Sequence, residues 1–170
     1  DGTVWTWGSN SYGQLGTGDN INKAMPAKVM DIENAIDISV GSYNTVVVKD
    51  DGTVWSFGYN GYGQLGDGTT VNKNLPTVIK TETSNLTDIK ELKAGSGSSM
   101  AIMKNGDTYT WGSNNNNKLG TTATKNQIYP TKLENVNTSI SGDIGTDNGG
   151  IIDTQGFVYM WGLGTYGNLG

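Results

Sequence analysis

The feature that most constrains this chain is that one phrase occurs in it four times: DGTVWTWG at 1–8, DGTVWSFG at 51–58, NGDTYTWG at 105–112 and QGFVYMWG at 155–162. Their closing glycines stand 50, 54 and 50 residues apart, and Gly16, Gly66, Gly120 and Gly170 keep the same intervals. Pro26, Pro76 and Pro130 repeat the first two. A fixed period of this length means that each unit buries its apolar face on its neighbours, so the architecture must be an array. The four extra residues of the middle interval fall between Pro76 and Gly95, within the polar stretch Thr81 to Asp88, and predict a surface loop.

Inside each phrase the side chains alternate with period two. Trp5 and Trp7, Trp55 and Phe57, Tyr109 and Trp111, and Tyr159 and Trp161 project to one side, and small or intermediate residues to the other. That is a strand pattern. Upstream lie short apolar runs at 45–49, 99–104 and 149–153, which predict strands buried on both faces and joined to the aromatic strand by glycine-bearing hairpin turns. Further strands are predicted at 36–40, 89–94 and 140–144, and a weaker one after each proline, near 27–30. Four short antiparallel strands per unit, repeated radially, make a β-propeller blade. The expected fold is therefore all-β: a partial propeller within one repeat domain, 1–170, with repeat landmarks at 1–50, 51–104, 105–154 and 155–170. Three full blades are expected near 26–60, 76–113 and 130–163, plus terminal strands.

Composition removes whole mechanisms. The chain has no Cys and no His, and all 11 basic residues are lysines. Serine–histidine or cysteine–histidine catalysis, thiolate or imidazole zinc sites and disulfides are thereby excluded, as is bidentate arginine clamping of phosphate. A formal charge of -5 disfavours a nucleic-acid surface, and no apolar run is long enough to cross a membrane. The opening Asp1-Gly2-Thr3 reads as the start of an excised piece of a longer chain.

The segments WGSNSYGQLGTG at 7–18 and FGYNGYGQLGDG at 57–68 resemble the regulator of chromosome condensation repeat family, and the match extends along the whole chain. The resemblance implies seven-bladed rings, of which this chain would supply an arc, and members serving as exchange factors, inhibitors, sensors and cell-surface modules. This chain departs from the pattern at Asn114 to Asn117, where Asn117 takes the place of Gly13 and Gly63, and at Thr122. The family's His-Thr pair is replaced by Asn44-Thr45, Ser98-Ser99 and Asn148-Gly149.

Chemistry-bearing candidates read as structural. The stretch from Asp50 to Trp55 resembles a sialidase Asp-box, itself a hairpin turn, and the arginines that grip sialic acid are missing. The carboxylate pairs Asp50/Asp51, Asp143/Asp147 and Glu82/Glu91, and the Asp19 and Asp67 turns, match no complete glycosidase or calcium pattern. Tyr12, Tyr62 and Tyr166, with Leu15, Leu65, Leu119 and Leu169, are expected as buried loop anchors, and all five tryptophans as blade core. Asn85 and Asn137 begin glycosylation triplets on paper.

Recognition residues are expected where the repeats differ, because a shared scaffold leaves its variable loop positions free. These are Ser42, Tyr43, Asn44, Ser96, Ser98, Asp147 and Asn148 before the apolar strands, and Tyr59 after an aromatic one. The expected function is a non-enzymatic protein-interaction scaffold without cofactor or metal. It would bind an unidentified protein partner, with no nucleic acid and no membrane insertion. Self-association or the remainder of the parent chain would complete the ring, and a bacterial, extracellular or cell-surface setting fits the lysine- and asparagine-rich composition. The alternative is a carbohydrate-binding or glycoside-acting propeller module.

Overall fold

The computed structural model describes residues 1–136 and 138–170, so Asn137, the acceptor of the second glycosylation triplet, lies outside the described residues. Its strands are β1 (Trp5–Gly8), β2 (Lys23–Lys28), β3 (Ala35–Val40), β4 (Asn44–Lys49), β5 (Val54–Gly58), β6 (Lys73–Val78), β7 (Ile89–Ala94), β8 (Ser98–Met103), β9 (Thr108–Gly112), β10 (Gln127–Lys132), β11 (Ser139–Ile144), β12 (Asn148–Asp153) and β13 (Val158–Gly162). They form four antiparallel sheets in the orders β1-β2, β3-β4-β5-β6, β7-β8-β9-β10 and β11-β12-β13. Between neighbouring sheets the close strand contacts are made at the first and second strands, β7 with β3 and β4 and β11 with β7 and β8, so the blades fan outward from one side as an open arc of propeller.

The blade boundaries differ from those expected. The strand lies across each proline, as β2 does at 23–28, and does not begin after it near 27–30; it closes the preceding sheet rather than opening the next, so Trp55 pairs with Val78 and Gly58 with Lys73. Full blades therefore run 35–78 and 89–132, flanked by a three-stranded and a two-stranded sheet, rather than 26–60, 76–113 and 130–163. The cause is the loop between third and fourth strands. The Asn60 N–H donates to Asn72 Oδ1 at 2.8 Å, and Asn60 Nδ2 to the Val71 carbonyl at 3.2 Å. These bonds pull the outgoing chain back beside the strand it left.

Three apolar layers lie between the four sheets. Val4, Val29, Ile32, Val47 and Phe57 form the first; Val46, Val48, Ile79, Leu92, Ala101 and Trp111 are in the second; Met100, Leu119, Ile144 and Ile151 form the third. Successive β4 residues enter different layers, Val47 the first and Val46 and Val48 the second, as a strand buried on both faces must. The run at 149–153 does not follow suit, because no sheet lies beyond it: Ile151 is buried and Ile152 is exposed.

Tryptophan burial corrects the sequence expectation in the same way. The second aromatic of each phrase points toward the preceding blade, so Phe57 and Trp111 are fully buried. Trp161 is half-buried on edge strand β13, and Trp55 is also half-buried. Trp5 and Trp7 face the open end and are 53% and 63% exposed. The segment at 81–88 is a surface hairpin, closed by Thr81 N–H to the Ser84 carbonyl at 2.7 Å and pinned by buried Leu86.

Candidate functional site

The repeated loop is built around a buried asparagine. Asn10, Asn60 and Asn114 each accept a hydrogen bond on Oδ1 from the N–H of Leu15, Leu65 or Leu119, at 2.9 to 3.1 Å. Thr6, Ser56 and Thr110 donate to the carbonyls of those same leucines at 2.6 to 2.7 Å, which is why the face opposite the aromatics is small and hydroxylated. Gly13 and Gly63 have φ of 81° and 84°, and each lies against the fourth strand of the next blade, at Asn74 and Ile128. Asn117 adopts the same left-handed backbone, φ 57°, a conformation asparagine tolerates.

These loops lie at one end of the blades, beside the turns that join first to second strands. The Tyr59 N–H donates to the Tyr43 carbonyl, that of Ser113 to Gly97 and that of Leu163 to Asp147, at 2.8 to 2.9 Å. One backbone arrangement thus carries a different side-chain pair in each blade, and in the first it is Tyr43 with Tyr59. Tyr12 and Tyr62 join them. Ring centroids are 5.4 Å apart for Tyr12–Tyr43, 5.0 Å for Tyr12–Tyr59, 6.5 Å for Tyr43–Tyr59 and 5.7 Å for Tyr59–Tyr62. The Tyr59 hydroxyl is pushed above its ordinary range by burial and by the neighbouring Tyr62 and Tyr12, so it remains an O–H donor.

Tyr12 and Tyr62 are 38% and 41% exposed, and Tyr166 is more exposed still; none is the buried anchor expected from the repeat. Leu15, Leu65 and Leu119 do that work. Asn44 and Ser98 are the converse case. Both open their strands with side chains turned between sheets and are buried, Asn44 donating to Ser99 Oγ at 3.4 Å, so they present no surface. Ser42 is exposed beside a cleft of about 460 Å³ lined also by Trp5, Trp7, Ile38 and Val40.

The remaining candidates gather around Lys118, which stands where the earlier loops have Gln14 and Gln64. Its buried ammonium donates to the carbonyls of Ser96 at 2.7 Å and Thr146 at 2.8 Å, tying adjacent blades, and burial lowers its pKa. Asp147 accepts from Asn116 Nδ2 at 3.3 Å, and the Asn148 carbonyl accepts the N–H of Gly145 at 2.8 Å. The substitution of lysine for a repeated glutamine was the signal that could have identified this clamp.

Carboxylates at the hairpin turns and in strand β7 are engaged locally. Asp51 Oδ1 accepts from Thr53 N at 2.9 Å and Thr53 Oγ1 at 2.6 Å, and these bonds hold its pKa below the ordinary value. Asp67 accepts from Asn60 and Thr69, and Glu91 lies 3.1 Å from Lys93. No group of three or more metal-ligating side chains occurs among the described residues.

Comparison with known proteins agrees with this architecture. The chain is 30% identical to the Arabidopsis thaliana ultraviolet-B receptor UVR8 over 98% of its own length and 39% of the receptor's. It is 32% identical to the human E3 ubiquitin-protein ligase HERC2 over 79% of its own length and 3% of that protein. Among solved structures, yeast RCC1 (Prp20) from its complex with Kap60 superposes with a TM-score of 0.84 at 22% identity, covering 96% of this chain and 40% of that one. Human WBSCR16 gives 0.79 at 21% identity, covering 94% and 42%. The chain thus spans about two fifths of the receptor and of both solved structures. The profile of the regulator of chromosome condensation (RCC1) repeat matches residues 1–48, 51–102 and 105–144. With three matched repeats, the same loop asparagine recurring in each and the sheets superposing on its relatives, this chain belongs to the RCC1 repeat family.

Proposed function

We propose that the chain is a non-catalytic protein-interaction scaffold whose strand-end loops, centred on the Tyr43–Tyr59 cluster, contact a protein partner. One observation carries this reading: among the described residues the aromatic cluster occurs only where the first two full repeats meet, on a backbone that the next blades build equally well with Gly97 and Ser113 or with Asp147 and Leu163. The fold does not require the tyrosines, and an exposed aromatic patch that folding does not require is a recognition surface. Solved relatives fit such a role, since yeast RCC1 was crystallised bound to Kap60 and Prp20p is described by its binding to Gsp1p and histones.

The open faces at the two ends of the arc, with Trp5 and Trp7 at one and Val158 and Met160 at the other, are covered in this proposal by further blades of a longer parent protein or by a second copy. A bacterial cell-surface or extracellular setting accords with an acidic, arginine-free, asparagine-rich exterior. The test is affinity capture from cells of the source organism. One protein should be retained in stoichiometric amount by the wild type and lost by Tyr59→Ser. Retention by both, or a glycan-array signal in its place, would refute the assignment.

A further inference from the structure

We infer that the chain binds a second copy of itself head to tail, Trp7 of one copy seating in the loop that ends at Gly170 of the other; this deepens the reading that the ends of the arc are covered, and rests on it. The chain builds the same junction three times internally. The glycine that closes each repeated loop receives the second aromatic of the following phrase: an added Cβ at Gly16, Gly66 or Gly120 would meet Phe57, Trp111 or Trp161 at 2.7 to 2.8 Å. Where that aromatic is tryptophan, its indole N–H also donates to the carbonyl two residues before the glycine, Trp111 to Gln64 at 3.0 Å and Trp161 to Lys118 at 2.8 Å.

Four phrases and four loops make three such junctions, which leaves one plug and one socket over. Trp7 is the plug. It stands exposed, and its indole N–H has no acceptor among the described residues, whereas that of Trp5 is taken by Thr3 Oγ1 at 3.3 Å. The socket is the loop at 164–170. Its Gly170 N–H donates to the Gly167 carbonyl at 3.4 Å, as that of Gly66 does to Gly63 at 3.0 Å, and Gly170 is also left-handed, with φ 93°. Yet an added Cβ at Gly170 would meet nothing within 4 Å, so the place that an aromatic fills in the other three loops is open. The Asn168 carbonyl stands where those of Gln64 and Lys118 accept an indole.

The flanks of the two ends also match. Beside the socket, Val158 and Met160 are exposed where their counterparts Val54 and Ser56 are buried under the next blade. Trp161 makes its junction from an edge strand, without a hydroxyl from Gly149, so β1, likewise an edge strand, can seat its indole in the same way. Plug and socket lie on different surfaces. The contact is therefore heterologous, and copies add on until a ring closes.

The test is complementation, read by sedimentation velocity. Trp7→Lys removes the plug and keeps the socket; Gly170→Val fills the socket and keeps the plug. Both positions are exposed, so the thermal transition of the dilute protein should stay in place. The wild type should associate with rising concentration, and each variant alone should do so at least about tenfold more weakly. An equimolar mixture of the two variants should recover a heterodimer and nothing larger, because one plug and one socket remain intact between them. A wild type that stays monomeric, variants that associate as the wild type does, or a mixture that recovers no heterodimer overturns the inference. Capture of a protein partner through Tyr59 is read separately: capture without self-association removes this inference alone, and self-association without capture removes the scaffold reading alone.

Discussion

Trp111 Nε1 donates to the main-chain carbonyl of Gln64 at 3.0 Å, and Ser99 Oγ donates to the same oxygen at 3.1 Å. This shared acceptor locks each blade to the loop of the one before. The same junction recurs with different parts: Thr45 Oγ1 alone serves the Gln14 carbonyl where Phe57 replaces tryptophan, and Trp161 alone serves Lys118 where Gly149 replaces the hydroxyl. Trp111→Phe should cost about 2–4 kcal/mol, the lost hydrogen bond plus the space left by the smaller ring, while Ser99 still satisfies the carbonyl. Adding Ser99→Ala should cost more than the two single changes together, because the carbonyl is then orphaned. Urea unfolding of the four proteins in the cycle measures the coupling, and strict additivity would contradict a common acceptor.

Gly66 packs on the same indole. Its φ is +64°, and an added Cβ would lie 2.8 Å from Trp111 Nε1 and 2.9 Å from Ile79 Cγ2. Gly66→Ala combines backbone strain with overpacking and should destabilise by roughly 2–5 kcal/mol. Gly156→Ala is the control: φ is +84° but the space is open, so strain alone, about 1 kcal/mol, is expected. Equal midpoint shifts for the two variants in denaturant would show that packing on Trp111 contributes nothing.

Lys118→Gln restores the residue of the earlier repeats but removes two charge-assisted bonds, and should cost about 1.5–3 kcal/mol. Because burial depresses the Lys118 pKa, the folded chain binds fewer protons at this site than the unfolded chain between the depressed value and 10.5. Stability from this group therefore rises with pH across that window. The advantage of wild type over Lys118→Gln, measured by chemical denaturation, should be larger just below pH 10.5 than at neutrality.

Asp19 titrates well below its ordinary value of 3.8, at about 2, chiefly through its hydrogen bond with Lys23 and secondarily through the N–H of Ile21. A depressed carboxylate stabilises the fold above pH 3.8, and that contribution is lost as pH falls toward 2. In Lys23→Met the Asp19 carboxyl resonance should move its midpoint upward; an unchanged midpoint would mean that the 2.8 Å ion pair does not form in solution.

Trp5 and Trp7 are 53% and 63% exposed on an apolar sheet face that no further sheet covers among the described residues. Multi-angle light scattering should show concentration-dependent association that Trp7→Lys diminishes. A wild type that remains monomeric at high concentration would mean that this face needs no copy of itself.

The repeat, its period, the strand alternation, the hairpins and the buried middle strand were legible because each depends on neighbours within a few residues or on recurrence along the chain. Asn117 is one such case, since its left-handed backbone follows from the glycines at the matching loop positions. The assignment of β2, β6 and β10 to blades was not legible. It depends on loop bonds such as Asn60 to Asn72, which span twelve residues and have no local signature.

Sequence alone determined that this protein is an array of β modules built without histidine, cysteine or arginine. Tertiary structure alone decided which repeated residues meet water: Trp111 and Trp7 occupy equivalent positions in the phrase, yet one is fully buried and the other 63% exposed. Tyr12, Tyr43, Tyr59 and Tyr62 likewise come together across the chain only when two loops and a turn converge at one end of adjoining blades. A residue's pattern fixes the face of the strand from which it projects, but burial and clustering depend on what folds against that face, and this belongs to the neighbouring blade.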